Sequence, residues 1–159
     1  TTIHSRDAAA AVEAFHYLSV PYTILGSSLR VLMAQNLVRT LCRSCRVSSD
    51  VTDEYRQLFE RWEVPVPDTV FEARPGGCEG CDRYGYEGRT GIFEVVEVDD
   101  EIGRSIINGA SQMDLRQMFR RKGFGSIFKS GLLKVADGET SMTELMDLYW
   151  PGKGGSGVD

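Results

Sequence analysis

The chain has 159 residues, 42% apolar and 26% charged, and its 18 Lys and Arg against 23 Asp and Glu leave a formal net charge of −5. That balance suits one globular domain with a real core, or one domain plus a small module, and excludes a disordered or collagen-like chain. No stretch approaches the roughly 18–20 consecutive apolar residues that span a bilayer, and no charged-then-apolar export leader is visible. The first residue is Thr1 rather than Met, which reads as a fragment of a longer protein.

In chain order, Asp7 is a plausible N-cap for an alanine-rich helix over 8–18, with Val12, Phe15 and Leu18 at helical spacing. Pro21 restarts the chain, and 22–29 suits a short second helix. The run 30–39 is ambiguous: its length permits a helix, but its apolar and β-branched content also suits a strand buried on both faces. A helix is expected over 53–62, followed by the Pro65 and Pro67 stretch and a short extended piece at Val70 and Phe71. The stretch 84–89 is turn-rich and aromatic, and 90–98 is the clearest strand. The remainder is helical. Asp99 or Asp100 caps a helix to Ile107 that Asn108 and Gly109 close. Ser111 and Asp114 form a capping box that opens a helix to Lys122, with Gly123 as its stop. A helix over 126–136 ends at Asp137 and Gly138, and Ser141 with Glu144 caps the last one. The tail from Gly152 is rich in Gly and Ser and is expected to be disordered.

Four cysteines carry the chemistry. Cys42 and Cys45 make one C-x2-C pair, Cys78 and Cys81 a second, and 32 residues separate them. Each pair in a tight turn sets two sulfurs on one side of the chain, and two facing knuckles supply the four thiolates of a tetrahedral site. Arg39, Arg43 and Arg46 near the first knuckle would ease thiolate formation. Two structural disulfides would need an oxidising compartment, and a redox pair would leave the second C-x2-C unexplained. The reading is structural zinc, with iron in the same cage as the alternative. No fifth Cys or His nearby offers an open coordination position. Strands at 31–38 and 90–98 bracket this region, so the economical arrangement pairs them with the metal module as an elaborate hairpin tip, tied off where about 50 residues lack a core of their own.

No G-x-x-x-x-G-K-[ST] loop, G-x-G-x-x-G or G-x-S-x-G occurs, so the sequence displays no complete active site. The histidines are His4 and His16. His16 reads as a surface or core-edge residue, while His4 precedes a helix N-terminus, where free amides and the helix dipole favour an anion.

Several segments together resemble the C-terminal part of the type II secretion and type IV pilus assembly ATPases. Thr2-Ile3-His4-Ser5-Arg6-Asp7-Ala8 is similar to the family's Thr-Leu-His-Thr-Asn-Asp-Ala histidine box. Gln35-Asn36-Leu37-Val38-Arg39 resembles its Gln-Arg-Leu-Val-Arg stretch before the first knuckle. Gly85-Tyr86-Glu87-Gly88-Arg89-Thr90-Gly91-Ile92-Phe93-Glu94 follows the second knuckle as the family's strand entry does. Gly138-Glu139-Thr140-Ser141 with Glu144-Leu145 resembles its closing segment. The departures are Asn36 for the usual Arg, and Ser5-Arg6 for Thr-Asn. The tetracysteine insertion favours the secretion and assembly branch over pilus retraction motors.

The resemblance implies an α/β fold, α+β within this fragment: the C-terminal part of a RecA-like P-loop ATPase domain with an inserted zinc module and a C-terminal helical bundle. Residues 1–41 would complete the ATPase core and 42–88 would form the zinc insertion held by Cys42, Cys45, Cys78 and Cys81. Residues 89–150 would supply the returning strand and helices, and 151–159 the tail. The full protein would hydrolyse ATP with Mg as a cytoplasmic homo-hexamer, peripheral to the inner membrane through platform proteins of its machine. His4 would approach the γ-phosphate, and the fragment alone would be inactive. A zinc-ribbon nucleic-acid module competes, with arginines for phosphates and Tyr84 and Tyr86 for stacking. Residues 47–159 carry a net −8, however, which repels a polyanion, so no nucleic-acid partner is expected. A stand-alone zinc hydrolase is disfavoured by an all-thiolate ligand set.

Overall fold

The computed structural model describes residues 2–149; the tail expected to be disordered lies outside them. The architecture is mixed α/β. Helices α1 (Ala8–Tyr17) and α2 (Tyr22–Ser28) precede strands β1 (Val31–Leu41) and β2 (Val47–Asp50), then α3 (Asp53–Arg61), β3 (Thr69–Glu72) and β4 (Tyr86–Glu97). Four helices follow: α4 (Asp100–Ile107), α5 (Gln112–Arg121), α6 (Ile127–Ala136) and α7 (Met142–Tyr149).

Local chemistry sets the helix ends. The Asp7 side chain accepts from the Ala10 amide at 2.8 Å, and Asp99 Oδ1 accepts from Ile102 N at 2.9 Å. Ser111 and Asp114 close a reciprocal box, each side chain accepting the other's amide at 3.2 Å. Ser141 Oγ accepts from Glu144 N at 3.0 Å, so both capping motifs legible in the sequence do what their spacing implies. Asp99 rather than Asp100 is the cap of α4.

The ambiguous run becomes β1, paired with β4. The pairing is antiparallel: Val98 N donates to Arg30 O at 2.8 Å, and Cys42 N donates to Gly85 O at 3.0 Å. β1 is not buried on both faces. Leu32, Ala34 and Val38 are buried while Val31, Met33 and Leu37 are exposed, the alternation of a strand with one covered face; only Leu41, at the strand's end, is buried on the other face. β4 starts at Tyr86, four residues earlier than the sequence suggests, because the Cys42–Gly85 bond begins the ladder at the knuckle itself. β2 and β3 form a second antiparallel pair that the sequence did not announce, with Val47 opposite Glu72 and Asp50 opposite Thr69.

Two compact units divide the described residues, and the boundary falls inside both β1 and β4. One is drawn from the chain up to Asn36 and from Phe93 to Ile127. Its core gathers Ala8, Ala9 and Val12 of α1, Leu25, Leu32, Val96 and Val98, and Ile102, Ile106, Leu115 and Phe119 of α4 and α5. Within it α2 and α4 meet at Gly26 and Gly103. A Cβ on Gly26 would lie 2.3 Å from Gly103 O, so the two backbones touch where only hydrogen fits. The other unit runs from Leu37 to Ile92 and from Phe128 onward, and it holds the cysteine region. There Phe59, Val70, Leu132, Val135, Met142 and Leu145 are buried, and Trp62 packs on Phe128 with ring centroids 5.3 Å apart.

Gly26→Ala should therefore lower stability by about 3 kcal/mol, as overpacking against backbone does. Gly125→Ala, which meets nothing within 4 Å, should stay within about 0.5 kcal/mol. Urea unfolding midpoints of the two variants check this, and equal midpoints would refute the close approach.

Candidate metal centre

The first knuckle is the turn that ends β1. Cys45 N and Arg46 N both donate to Cys42 O, at 3.2 and 2.9 Å, folding Cys42 and Cys45 onto one side. The second needs more unusual backbone. Gly77 has φ +48°, and a Cβ there would stand 2.5 Å from the Arg83 carbonyl carbon, so glycine is required. Cys78 begins a single 3-10 turn, Glu79–Cys81, and Asp82 and Arg83 follow in the left-handed region at φ 50° and 64°. Arg83 N then returns to Cys78 O at 2.9 Å and Tyr84 N to Cys81 O at 2.9 Å.

Those turns bring all four sulfurs within 4.8 Å of one another. The Cys42–Cys78 and Cys45–Cys81 Sγ separations are both 3.8 Å, and Cys78–Cys81 is 3.7 Å. A disulfide would need about 2.05 Å, so these are free thiols. A tetrahedral ion with metal–sulfur bonds of about 2.3 Å has ligand edges of about 3.8 Å. The donor set fits a closed, soft-ligand metal site. Cys42, Cys45 and Cys81 are buried and Cys78 is partly so.

Backbone amides face the sulfurs. Cys78 N and Gly85 N each donate to Cys81 Sγ at 3.2 Å. The Cys78 amide, with that of Gly85, brings the Cys81 thiol down to about 6. Burial, reinforced by the neighbouring thiols, pushes Cys45 up to about 12. Amide dipoles thus favour the Cys81 thiolate. Arg46 stacks over Phe71 at 4.1 Å and donates to Gly138 O. Arg39 is committed to a network of its own.

That network is the part sequence reasoning missed. Arg39 Nε donates to Glu144 Oε2 at 2.7 Å, and the Arg39 backbone amide donates to Glu144 Oε1 at 2.9 Å. The guanidinium lies 4.1 Å over the Tyr86 ring, Tyr86 Oη meets Ser141 Oγ at 2.8 Å, and Thr140 Oγ1 donates to Arg39 O at 2.8 Å. Ser141 and Glu144 were legible as a cap; nothing local signals that the carboxylate also reaches a strand 105 residues earlier. His4 lies in the other unit, exposed, three residues ahead of the Asp7 cap. His16 is exposed and stacks on Tyr22 at 4.0 Å, as a core-edge residue should.

Glu144→Ala leaves the Arg39 amide and guanidinium without this acceptor and should cost about 2 kcal/mol. Most of that comes from the amide, since Arg39 is half exposed and its ion pair is screened. Chemical denaturation with Arg39→Ala as the companion variant checks this, and a loss under about 0.5 kcal/mol would refute it.

Comparison with known proteins accords with the site. A family model described as type II/IV secretion system protein matches residues 1–147. The chain is 34% identical over 146 residues to type II secretion system protein E of Aeromonas hydrophila, covering 92% of this chain and 28% of that protein. It is 35% identical over 146 residues to type II secretion system ATPase E of Vibrio cholerae, covering 92% and 28%. Against type IV pilus assembly ATPase TfpB of Acinetobacter baylyi the figures are 29% over 147 residues, 92% and 25%. The chain thus spans about a quarter of the length of these relatives. With a match over residues 1–147 that takes in both knuckles, the chain belongs to the type II/IV secretion system protein family.

Proposed function

We propose that these residues are the C-terminal part of a hexameric, RecA-like motor ATPase that powers type II protein secretion or type IV pilus assembly. What carries the reading is a cage of four thiols inside a chain matched over residues 1–147 to that family. In this reading Cys42, Cys45, Cys78 and Cys81 hold a structural zinc. The bound ion supplies no turnover chemistry; it fixes two knuckles whose loops have little core of their own. The residues of the module then present a rigid face to a partner or a neighbouring subunit, at the platform of the machine on the inner membrane. No helix among the described residues is long and apolar enough to cross a membrane.

The same reading gives His4 a role at the γ-phosphate. It stands just ahead of α1, whose first-turn amides and dipole already favour negative charge nearby. ATP and Mg would be held chiefly by elements outside these 159 residues, because no phosphate-binding loop occurs among them.

In the full-length protein, His4→Ala should lower kcat for ATP by about a hundredfold with little change in KM, as loss of one charge-stabilising donor does. Residues 1–159 alone should turn over no ATP. Steady-state phosphate release measures both, and turnover by the isolated fragment would overturn the reading. Cys78→Ser should reduce bound zinc well below one ion per chain, measured by elemental analysis. Residues 42–88 should loosen in that variant while α4 and α5 keep their protection from exchange. Full zinc content in the variant would refute the ligand assignment.

A further inference from the structure

From Ile92 onward β4 turns its even-numbered residues inward. Glu94, Val96 and Val98 are buried in succession, and Glu94 breaks the aliphatic row. At 6% exposure it is the one buried carboxylate among the described residues. A carboxylate so placed costs desolvation energy unless donors face it. What faces it is the start of α1: Glu94 Oε2 accepts from the Ala8 amide at 3.5 Å, a long and weak bond.

Three further charges surround the pair. Asp7, the cap of α1, is held by Arg116 of α5 through Nε at 2.9 Å. Arg120, one turn along α5, adds a second positive charge. Asp7 opposes ionisation of Glu94 while the two arginines and the Ala8 amide favour it. Burial outweighs them, and the carboxyl is pushed up to about 7.

We propose that Glu94 is a positioning residue for the 2–7 segment: its neutral form lets the first turn of α1 close against β4, and its ionised form loosens that turn and the His4 loop ahead of it. The coupling between Glu94 and α1 stands on the contacts above; only its consequence for turnover rests on the motor reading.

The direction follows from linkage. In the closed arrangement the carboxyl binds its proton more tightly than the ordinary value of 4.5 allows once the turn opens. The closed turn is therefore favoured fully below about 4.5 and loses that advantage as pH rises through about 7. Between about pH 6 and pH 8 the open fraction should grow about tenfold.

Hydrogen exchange by mass spectrometry on the full-length chain, read on the peptide covering 2–12 and corrected for intrinsic rate, tests the coupling. Wild type should lose about tenfold protection across that range, and Glu94→Gln should stay protected throughout. ATP turnover measured in parallel should show wild-type kcat changing near pH 7 at constant KM, with a flat profile in Glu94→Gln. Protection that is independent of pH in wild type overturns the proposal, even if the Gln variant fails to fold. The same pH dependence in both proteins also overturns it. If wild type hydrolyses no ATP while the peptide still titrates through Glu94, the motor reading falls and the positioning of the segment stands.

Discussion

Four sulfurs on two turns converge here because the second turn holds unusual backbone, and this convergence sets the path of the chain beside it. The first knuckle is inexpensive, an ordinary turn at the end of β1. The second places two consecutive non-glycine residues, Asp82 and Arg83, at left-handed φ, which costs of order 1 kcal/mol each. That cost is offset because the same path aims the Cys78 and Gly85 amides at Cys81 Sγ. Backbone strain and sulfur solvation are therefore one arrangement seen from two sides. It also explains why β4 begins where it does: Gly85 serves the sulfur with its N–H and β1 with its carbonyl.

The Arg39, Tyr86, Ser141 and Glu144 network performs a related task with different chemistry. It joins the last turn of β1, the first residue of β4 and the N-terminus of α7 through groups with several bonding positions each. Glu144 occupies both carboxylate oxygens on Arg39, one for the side chain and one for the amide. The guanidinium keeps a free face for the Tyr86 ring, which a lysine could not use in the same way. Such a joint ties chain segments that are remote in sequence without needing a large apolar contact.

Much of this was legible beforehand, and the misses share a cause. Asp7, Asp99, Ser111 and Ser141 could be read because a cap is a local rule, decided within three residues. The cysteine spacing was equally local. β2 could not be read: Val47-Ser48-Ser49-Asp50 is exposed along its whole length and owes its form to pairing with β3, where Val70 is buried. β1 was ambiguous because Val31, Met33 and Leu37 put apolar groups on its open face, which hides the alternation. Glu94 sits in a run of Ile, Phe and Val that looks like plain strand, and only the approach of α1 gives it meaning. Placement that depends on a distant partner leaves no periodic trace.

The end of β1 carries one more implication. Its outward amides at Arg39 and Leu41 are taken by Glu144 Oε1 and by the Glu139 carbonyl, at 2.9 Å each. An exposed strand margin is ordinarily a template on which a foreign chain can add itself, the first step of edge-to-edge aggregation. Here the end of that margin is covered by Glu139 of the turn between α6 and α7 and by Glu144 of α7. The end of β1 is thus closed to strand addition without lysines or prolines on the strand.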